Sequence, residues 1–234
     1  MKDNKLFLKS PIKWAGGKSK LMNKIQEVYN NDFFWNSEKY TYIELFGGGG
    51  SSWLFVLQNY RPKRVIVNDI NPNVINLWRC IQNYPIALCG ELESIVSNYL
   101  NFDWDGRKEF FLDLRKSFNE KKDLLTGINT DVRMAAEFLF LNKTCFNGLW
   151  RTNSKGEFNT PFESRQIWTK NQIYMIKIIS YCYQNGLKEL SLYVVIIKML
   201  LVMMLLEMYW FIWIRHIEAL GQITLKSLLA NKSK

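Results

Sequence analysis

Four consecutive glycines in "IELFGGGGSS" are the first feature of the sequence that could serve ligand-binding chemistry. Glycines between a strand and a helix let the backbone approach a ligand closely, because no side chain intervenes. Asp69 ends the next predicted strand, about twenty residues further on, where a carboxylate can accept hydrogen bonds from ribose hydroxyls. A flexible turn with a helix cap is the alternative interpretation, and the spacing to Asp69 favours a ligand site.

A second glycine-containing segment, "IKWAGGKSKLM", begins at Ile12. Its two glycines turn the chain into a predicted helix, and Lys18 lies near the first turn of that helix. A ligand carboxylate could bind there, because the first backbone N–H groups of a helix have no partner within the helix. An ordinary turn and helix cap explains the same pattern.

A third segment, "FLNKTCFNGLWRTNSKGEFNTPF", alternates aromatic residues with Asn, Lys and Arg. Arg and Asn side chains read base edges through pairs of hydrogen bonds. Aromatic side chains can wedge into a base stack or hold a displaced base. The "NSKGE" stretch predicts a hairpin turn that presents these groups, and a solvated β-hairpin without a ligand is the alternative.

The composition favours a polyanionic partner. The chain has 234 residues and a formal net charge of +10, which favours nucleic acid or, as the alternative, an anionic membrane surface. A single histidine, His216, makes histidine-based catalysis and zinc binding poor hypotheses. The N-terminal sequence has no apolar run typical of a signal peptide, and four cysteines without metal or disulfide spacing fit a reducing cytoplasm. These cysteines are Cys80, Cys89, Cys145 and Cys182.

The order of predicted elements indicates an α/β fold. "KYTYIELF" predicts a strand, a helix follows near Ser51, and "RVIVNDI" predicts a second strand. "PNVINLWRCIQ" predicts the next helix, with Pro72 at its first position. Strand, glycine loop, helix, strand and helix are the opening of a doubly wound α/β sheet. Residues from about 85 to 145 have a mostly helical pattern and indicate an insertion into that sheet.

Four motifs, in this order, resemble the Dam-type (D12 class) DNA adenine methyltransferases: "KWAGGK", "ELFGGGGS", "VNDINPNVINLW" and "LNKTCFNGLWRTNSKGEFNTPF". The resemblance covers roughly residues 8 to 185. It implies methyl transfer from S-adenosylmethionine to N6 of adenine in double-stranded DNA, typically within GATC, by a monomer that needs no metal and no membrane. It also implies a Rossmann-like methyltransferase sheet with an inserted, mainly helical DNA-recognition domain.

The resemblance assigns roles to individual residues. Trp14 and Lys18 would contact S-adenosylmethionine, Asp69 would hold its ribose hydroxyls, and Glu44 with the glycine loop would form the methionine side of the pocket. Phe146 would wedge beside the target base, and Asn147 and Arg151 would contact bases. The "GEFNTPF" stretch, which includes Asn159, would line the DNA. The assigned glycines are Gly47, Gly48 and Gly50, within the run Gly47–Gly50.

The catalytic loop of that family, Asp-Pro-Pro-Tyr, does not occur in the sequence. An apolar stretch, Ser191 to Ile214, stands in its place and is long enough for a membrane anchor, but Lys198 and Glu207 would lie within the membrane. If codons are read from their third base, Trp213–Ile214 yields Asp, and the next codons permit Pro-Pro-Tyr. A frameshift around residues 183 to 190 therefore explains the apolar tail better than an anchor does.

The sequence thus predicts four parts: residues 1–84 and 165–188 in the S-adenosylmethionine domain, 85–164 in the recognition domain, and 189–234 as an out-of-frame tail. On this interpretation the printed chain has no catalytic residues and is inactive. A non-catalytic protein that binds DNA and S-adenosylmethionine is the main alternative, and a membrane-attached nucleic-acid-binding protein is another.

Overall fold

The computed structural model describes residues 10–18, 21–30, 40–60, 62–125, 129–163 and 191–195. Within these residues it has three strands, all parallel, and helices that pack beside them. The strands are β1 (Thr41–Glu44), β2 (Arg64–Asn68) and β3 (Ser191–Val195). Mixed α/β structure with a small parallel sheet is therefore confirmed.

Strand β2 is the middle strand of the described sheet, in the order β1-β2-β3. The register places Glu44 beside Val67, and Val67 beside Val194. Val65 and Val67 are both fully buried, as is typical of a parallel strand that is covered on its faces. The parallel arrangement brings the carboxyl ends of β1 and β2 together, so the loops after these two strands are neighbours.

Three of the six α-helices in the described residues begin at a residue whose side chain caps the helix. Asn71 caps α3, its side chain accepting a 3.0 Å hydrogen bond from the N–H of Asn73, and Pro72 is the first helical residue. Asp103 and Asp131 cap α5 and α6 in the same way. The helices are α1 (Met22–Asn30), α2 (Ser51–Tyr60), α3 (Pro72–Asn83), α4 (Pro85–Leu100), α5 (Trp104–Glu120) and α6 (Val132–Thr144).

Helix α6 is the most buried element of the described chain, and it packs against α3, α4 and α5. Its one buried carboxylate, Glu137, forms ion pairs with Lys121 at 2.6 Å and with Arg133 at 3.0 Å. At its N-terminal end, the side chain of Asn76 on α3 pairs with both the N–H and the C=O of Asp131. Helix α6 is thereby fixed to α3 at the point where it begins.

The positions of the elements agree with the sequence prediction at β1, at β2, at the start of α2 and at Pro72. Residues 191–195 lie inside the predicted out-of-frame tail, and in the structure their backbone extends the sheet beside β2. The other residues of that tail, and residues 165–188, lie outside the described residues. No helix in the described part of the chain is long and apolar enough to cross a membrane.

Candidate functional site

The glycine loop after β1 is held by the carboxylate of Asp69, which follows β2. The N–H of Gly48 donates to Oδ2 of Asp69 at 2.7 Å, and the N–H of Asn71 donates to Oδ1 at 2.9 Å. Asp69 is only 8% exposed, and the N–H of Gly47 also bonds to the Asn68 carbonyl at 2.7 Å. Each carboxylate oxygen keeps a lone pair, so Asp69 both shapes the loop and can still accept hydrogen bonds.

Two positions in the loop require glycine. Gly48 has φ of 44° and Gly50 has φ of 85°, in the left-handed region where a Cβ is strained. A Cβ on Gly50 would also lie 2.7 Å from Cζ2 of Trp78. The same indole donates a 3.1 Å hydrogen bond to the carbonyl of Gly48, so the loop and the buried face of α3 fit together without spare room.

The second glycine-containing segment, "IKWAGGKSKLM", packs on the glycine loop through Trp14. A Cβ on Gly48 would lie 2.9 Å from Cδ1 of Trp14, and a Cβ on Gly49 would lie 2.9 Å from the Cβ of Trp14. The Trp14 ring also faces Phe138 of α6, with ring centroids 6.4 Å apart. The structure therefore brings together two motifs that the sequence could only predict separately.

Glu44, the last residue of β1, lies in the same region. Burial raises the pKa of its carboxyl group above the ordinary value of 4.5, and the Tyr42 hydroxyl, which donates a 2.7 Å hydrogen bond, and the charge of Lys18 lower it in part. Lys18 is exposed, and its carbonyl accepts a hydrogen bond from the N–H of Leu21 just before α1. A raised pKa means that ionised Glu44 costs stability at neutral pH.

The predicted cofactor residues thus lie around the carboxyl ends of β1 and β2. Sequence reasoning missed two neighbours, Phe46 and Ile70, which are 75% and 80% exposed. Each lies two residues past the end of a strand, at positions where an apolar residue is ordinarily expected to be buried. Their adjacency to the glycine run and to Asp69 was the signal that could have identified them.

The third segment forms a turned-back ribbon, as the "NSKGE" pattern predicted. Residues 152 and 158 form an antiparallel bridge, and the N–H of Gly156 closes the turn on the Asn153 carbonyl at 3.0 Å. Trp150 stacks on Phe158 with ring centroids 4.2 Å apart and an interplanar angle of 13°. This stack fastens the ribbon to the helical part through Phe118 and Phe138.

The predicted base-reading residues lie on the outside of this segment. Nε of Arg151 donates to Oδ1 of Asn159 at 3.1 Å, so the structure brings these two together. Phe146 is 48% exposed, and Asn147 is exposed with φ of 54°. Asn tolerates this left-handed conformation better than most residues, and here it turns the chain directly after Phe146.

A comparison with known protein families decides the relationship. The D12 class N6 adenine-specific DNA methyltransferase family matches residues 14–191 of the chain.

The chain belongs to this family.

Individual relatives agree with this family assignment. The methyltransferase chain is 40% identical to a Type II methyltransferase of Methanocaldococcus jannaschii, over 64% of the chain and 50% of the relative. It is 35% identical to a DNA adenine methylase of Vibrio cholerae, over 70% of the chain and 50% of the relative. It is 30% identical to a Type II methyltransferase of Lactococcus lactis, over 82% of the chain and 61% of the relative. The methyltransferase chain thus spans about half the length of the curated relatives it matches.

Among its described residues, the methyltransferase chain has no group of His, Cys, Asp and Glu side chains that could hold a metal ion. The three described cysteines, Cys80, Cys89 and Cys145, are all buried. Burial raises the pKa of the Cys80 thiol to about 12 and that of Cys145 to about 11, so neither is a thiolate at neutral pH.

Gly50→Ala should destabilise the protein by about 2–4 kcal/mol, because the new Cβ adds backbone strain at positive φ and collides with Trp78. Urea unfolding measures the change. Gly90→Ala is the matched control: Gly90 is exposed within α4, a Cβ there meets nothing within 4 Å, and alanine should stabilise by about 0.5–1 kcal/mol. Equal effects of the two substitutions would contradict the packing described for the loop.

Proposed function

We propose that this chain binds S-adenosylmethionine at the glycine loop and, in its intact form, methylates N6 of adenine in double-stranded DNA, within GATC. The observation that carries this proposal is the glycine loop itself, closed by Asp69 and covered by Trp14, with a ribbon nearby that carries the exposed Arg151 and its partner Asn159. Family membership supports the reaction class, and the net charge of +10 supports a DNA substrate.

The residues of the loop fit this cofactor. Two glycines at positive φ leave the backbone bare of side chains, and buried Asp69 has lone pairs left for ribose hydroxyls. Glu44 can accept hydrogen bonds from the ammonium group of the methionine part, and the charge of Lys18 suits its carboxylate. When bound, S-adenosylmethionine supplies the methyl group. Phe46 and Ile70 offer apolar surface for the flat adenine ring.

The exposed residues of the ribbon suit DNA. Phe146 would wedge beside the target base when the adenine leaves the stack, which costs a few kcal/mol that contacts with the protein must offset. Asn147 and Arg151 would read base edges, and Asn159 would hold Arg151 in place through the 3.1 Å hydrogen bond. Lys143 is a basic residue that lies partly buried beside Lys13, and this burial lowers the pKa of its side chain to about 8.

The domain organisation follows from the same proposal. The order β1-β2-β3 is that of one half of a doubly wound, Rossmann-like sheet, which supports residues 1–84 as the first part of the methyltransferase domain. Residues 85–164 contain α4, α5, α6 and the ribbon without a described strand of the sheet, which supports an inserted recognition domain. We assign residues 165–188 to the return into the sheet.

The catalytic loop is the part that the printed sequence lacks. Asp-Pro-Pro-Tyr is absent, and the third-base reading frame can spell Val-Tyr-Leu-Asp-Pro-Pro-Tyr across Trp210–Ile217. In the family, that loop would hold the adenine amine in line with the methyl donor. We therefore propose a frameshift around residues 183 to 190. The same absence favours one second candidate, a non-catalytic protein that binds DNA and S-adenosylmethionine.

Glu44→Gln should weaken binding of S-adenosylhomocysteine by roughly 10- to 100-fold, as the loss of a hydrogen bond to a charged group implies. The raised pKa of Glu44 also predicts a pH-dependent change in the free energy of unfolding. Wild-type stability falls as pH rises from 4.5 through the raised pKa, because the folded protein disfavours the ionised carboxyl group. Glu44→Gln should therefore be the more stable protein at neutral pH, with the difference vanishing at low pH. Calorimetry and urea unfolding measure the two effects. Lys24→Ala, at an exposed residue, serves as a control and should change neither the affinity for S-adenosylhomocysteine nor the pH dependence of stability. Unchanged affinity in Glu44→Gln would remove Glu44 from the pocket.

Arg151→Ala should cost about 1–3 kcal/mol on a GATC duplex and relax discrimination at one base pair. Binding to the cognate duplex and to each single-mismatch duplex measures the change. Lys108→Ala, on α5 outside the ribbon, is the control for a general loss of positive charge. An equal loss on every duplex would identify Arg151 as a phosphate contact instead.

Restoring one base between codons 183 and 190 should give a longer protein that methylates adenine, whereas the printed chain should transfer no methyl groups. Transfer of tritiated methyl groups to unmethylated DNA, measured with both proteins, is the assay. Sequencing the coding DNA provides the independent control for the altered frame. Clear activity from the printed chain would mean that residues other than Asp-Pro-Pro-Tyr position the adenine amine.

A further inference from the structure

A buried carboxamide joins the segment that packs on the glycine loop to the segment proposed to read DNA. Asn142, near the end of α6, is fully buried. Its Oδ1 accepts the N–H of Lys13 at 2.9 Å, and its Nδ2 donates to the carbonyl of Lys13 at 2.9 Å and to the carbonyl of Gly148 at 3.1 Å. One side chain therefore satisfies backbone groups from two distant parts of the sequence.

Asn has the right chemistry and size for this junction. A carboxamide offers two donors and two acceptor sites, and three of these four are used here. An aspartate of the same size could accept from Lys13 but could donate to neither carbonyl, and it would add a buried charge. A serine would be too short to reach both partners. The junction therefore depends on the side-chain type at position 142.

The two segments that Asn142 joins pack tightly against each other. A Cβ on Gly148 would lie 2.5 Å from the Cβ of Lys13, and Gly148 has φ of 66°. Lys13 is directly followed by Trp14, which packs on Gly48 and Gly49. Gly148 is directly preceded by Phe146 and Asn147, both exposed. Trp14 is thus linked to Phe146 and Asn147 through a few tightly packed groups.

We propose that Asn142 is a positioning residue that couples occupancy of the cofactor loop to the arrangement of Phe146 and Asn147, so that cofactor and DNA favour each other's binding. This inference rests on the proposed function, since it needs both ligands. Coupling between two sites is reciprocal: S-adenosylhomocysteine tightens DNA binding by the same factor by which DNA tightens S-adenosylhomocysteine binding.

The opposite end of α6 provides a matched control. Asn76 is also buried, and it pairs with the N–H and the C=O of Asp131 at 2.8 and 2.7 Å. Asn76 and Asn142 therefore make the same two-point contact with one backbone residue, at the two ends of one helix. Only Asn142 connects the cofactor loop with the recognition segment, so the two differ in the proposed coupling and resemble each other in their contribution to stability.

The experiment measures the affinity for a GATC duplex with and without saturating S-adenosylhomocysteine. It also measures the affinity for S-adenosylhomocysteine with and without saturating duplex, and the coupling factor is the ratio of the two affinities in each case. It uses wild type, Asn142→Ser, Asn76→Ser and Gly148→Ala, in the 234-residue chain and in the frame-restored chain. Wild type should show a coupling factor of about fivefold or more. Asn142→Ser and Gly148→Ala should bring this factor close to one, and Asn76→Ser should retain it while losing as much stability as Asn142→Ser. Gly148→Ala tests the junction from its other side, because it leaves the Asn142 side chain intact and disturbs the contact with Lys13.

Two kinds of failure are distinguishable. If wild type binds neither S-adenosylhomocysteine nor DNA, the proposed function is wrong. If wild type binds both, the inference is overturned by a wild-type coupling factor near one, by full coupling in Asn142→Ser or Gly148→Ala, or by an equal loss of coupling in Asn76→Ser.

Discussion

The rest of the site depends on the two hydrogen bonds that the carboxylate of Asp69 accepts. This carboxylate accepts the N–H of Gly48 from the loop after β1 and the N–H of Asn71 at the start of α3. Hydrogen bonds to a buried carboxylate are roughly twice as strong as neutral ones, and here they fix the loop, the strand end and the helix start at once. In that arrangement Trp14 covers the loop and Trp78 packs against Gly50.

Helix α6 extends this arrangement to the proposed recognition segment. It is fixed to α3 by Asn76 and to Lys13 by Asn142, and its buried Glu137 is neutralised by two cations. Because interiors pack like crystals rather than liquids, a helix held at both ends leaves little room for the elements it contacts to shift independently. One helix thus supports both the glycine loop, through Lys13 and Trp14, and the ribbon that carries Arg151.

Local patterns predicted much of this structure. The glycine run, Pro72 and the alternating valines of "RVIVN" are short-range signals, and the corresponding elements lie where the sequence placed them. Contacts between residues far apart in the sequence had no such signal. Examples are the packing of Trp14 on Gly48 and the hydrogen bonds between Asn142 and Lys13, which are 129 positions apart. The exposure of Phe46 and Ile70 was also missed, because an apolar residue at a strand end is ordinarily buried. The roles of Lys18, Glu44 and Asp69 toward a ligand stay predictions.

The most direct measurement is a crystal structure of the chain with S-adenosylhomocysteine and a GATC duplex. The account predicts ligand density against Gly47–Gly50, with its ribose hydroxyls on Asp69, and DNA bases within hydrogen-bond distance of Arg151. Density for S-adenosylhomocysteine at another place, with the glycine loop still closed under Trp14, would contradict the assignment of the loop as the cofactor site.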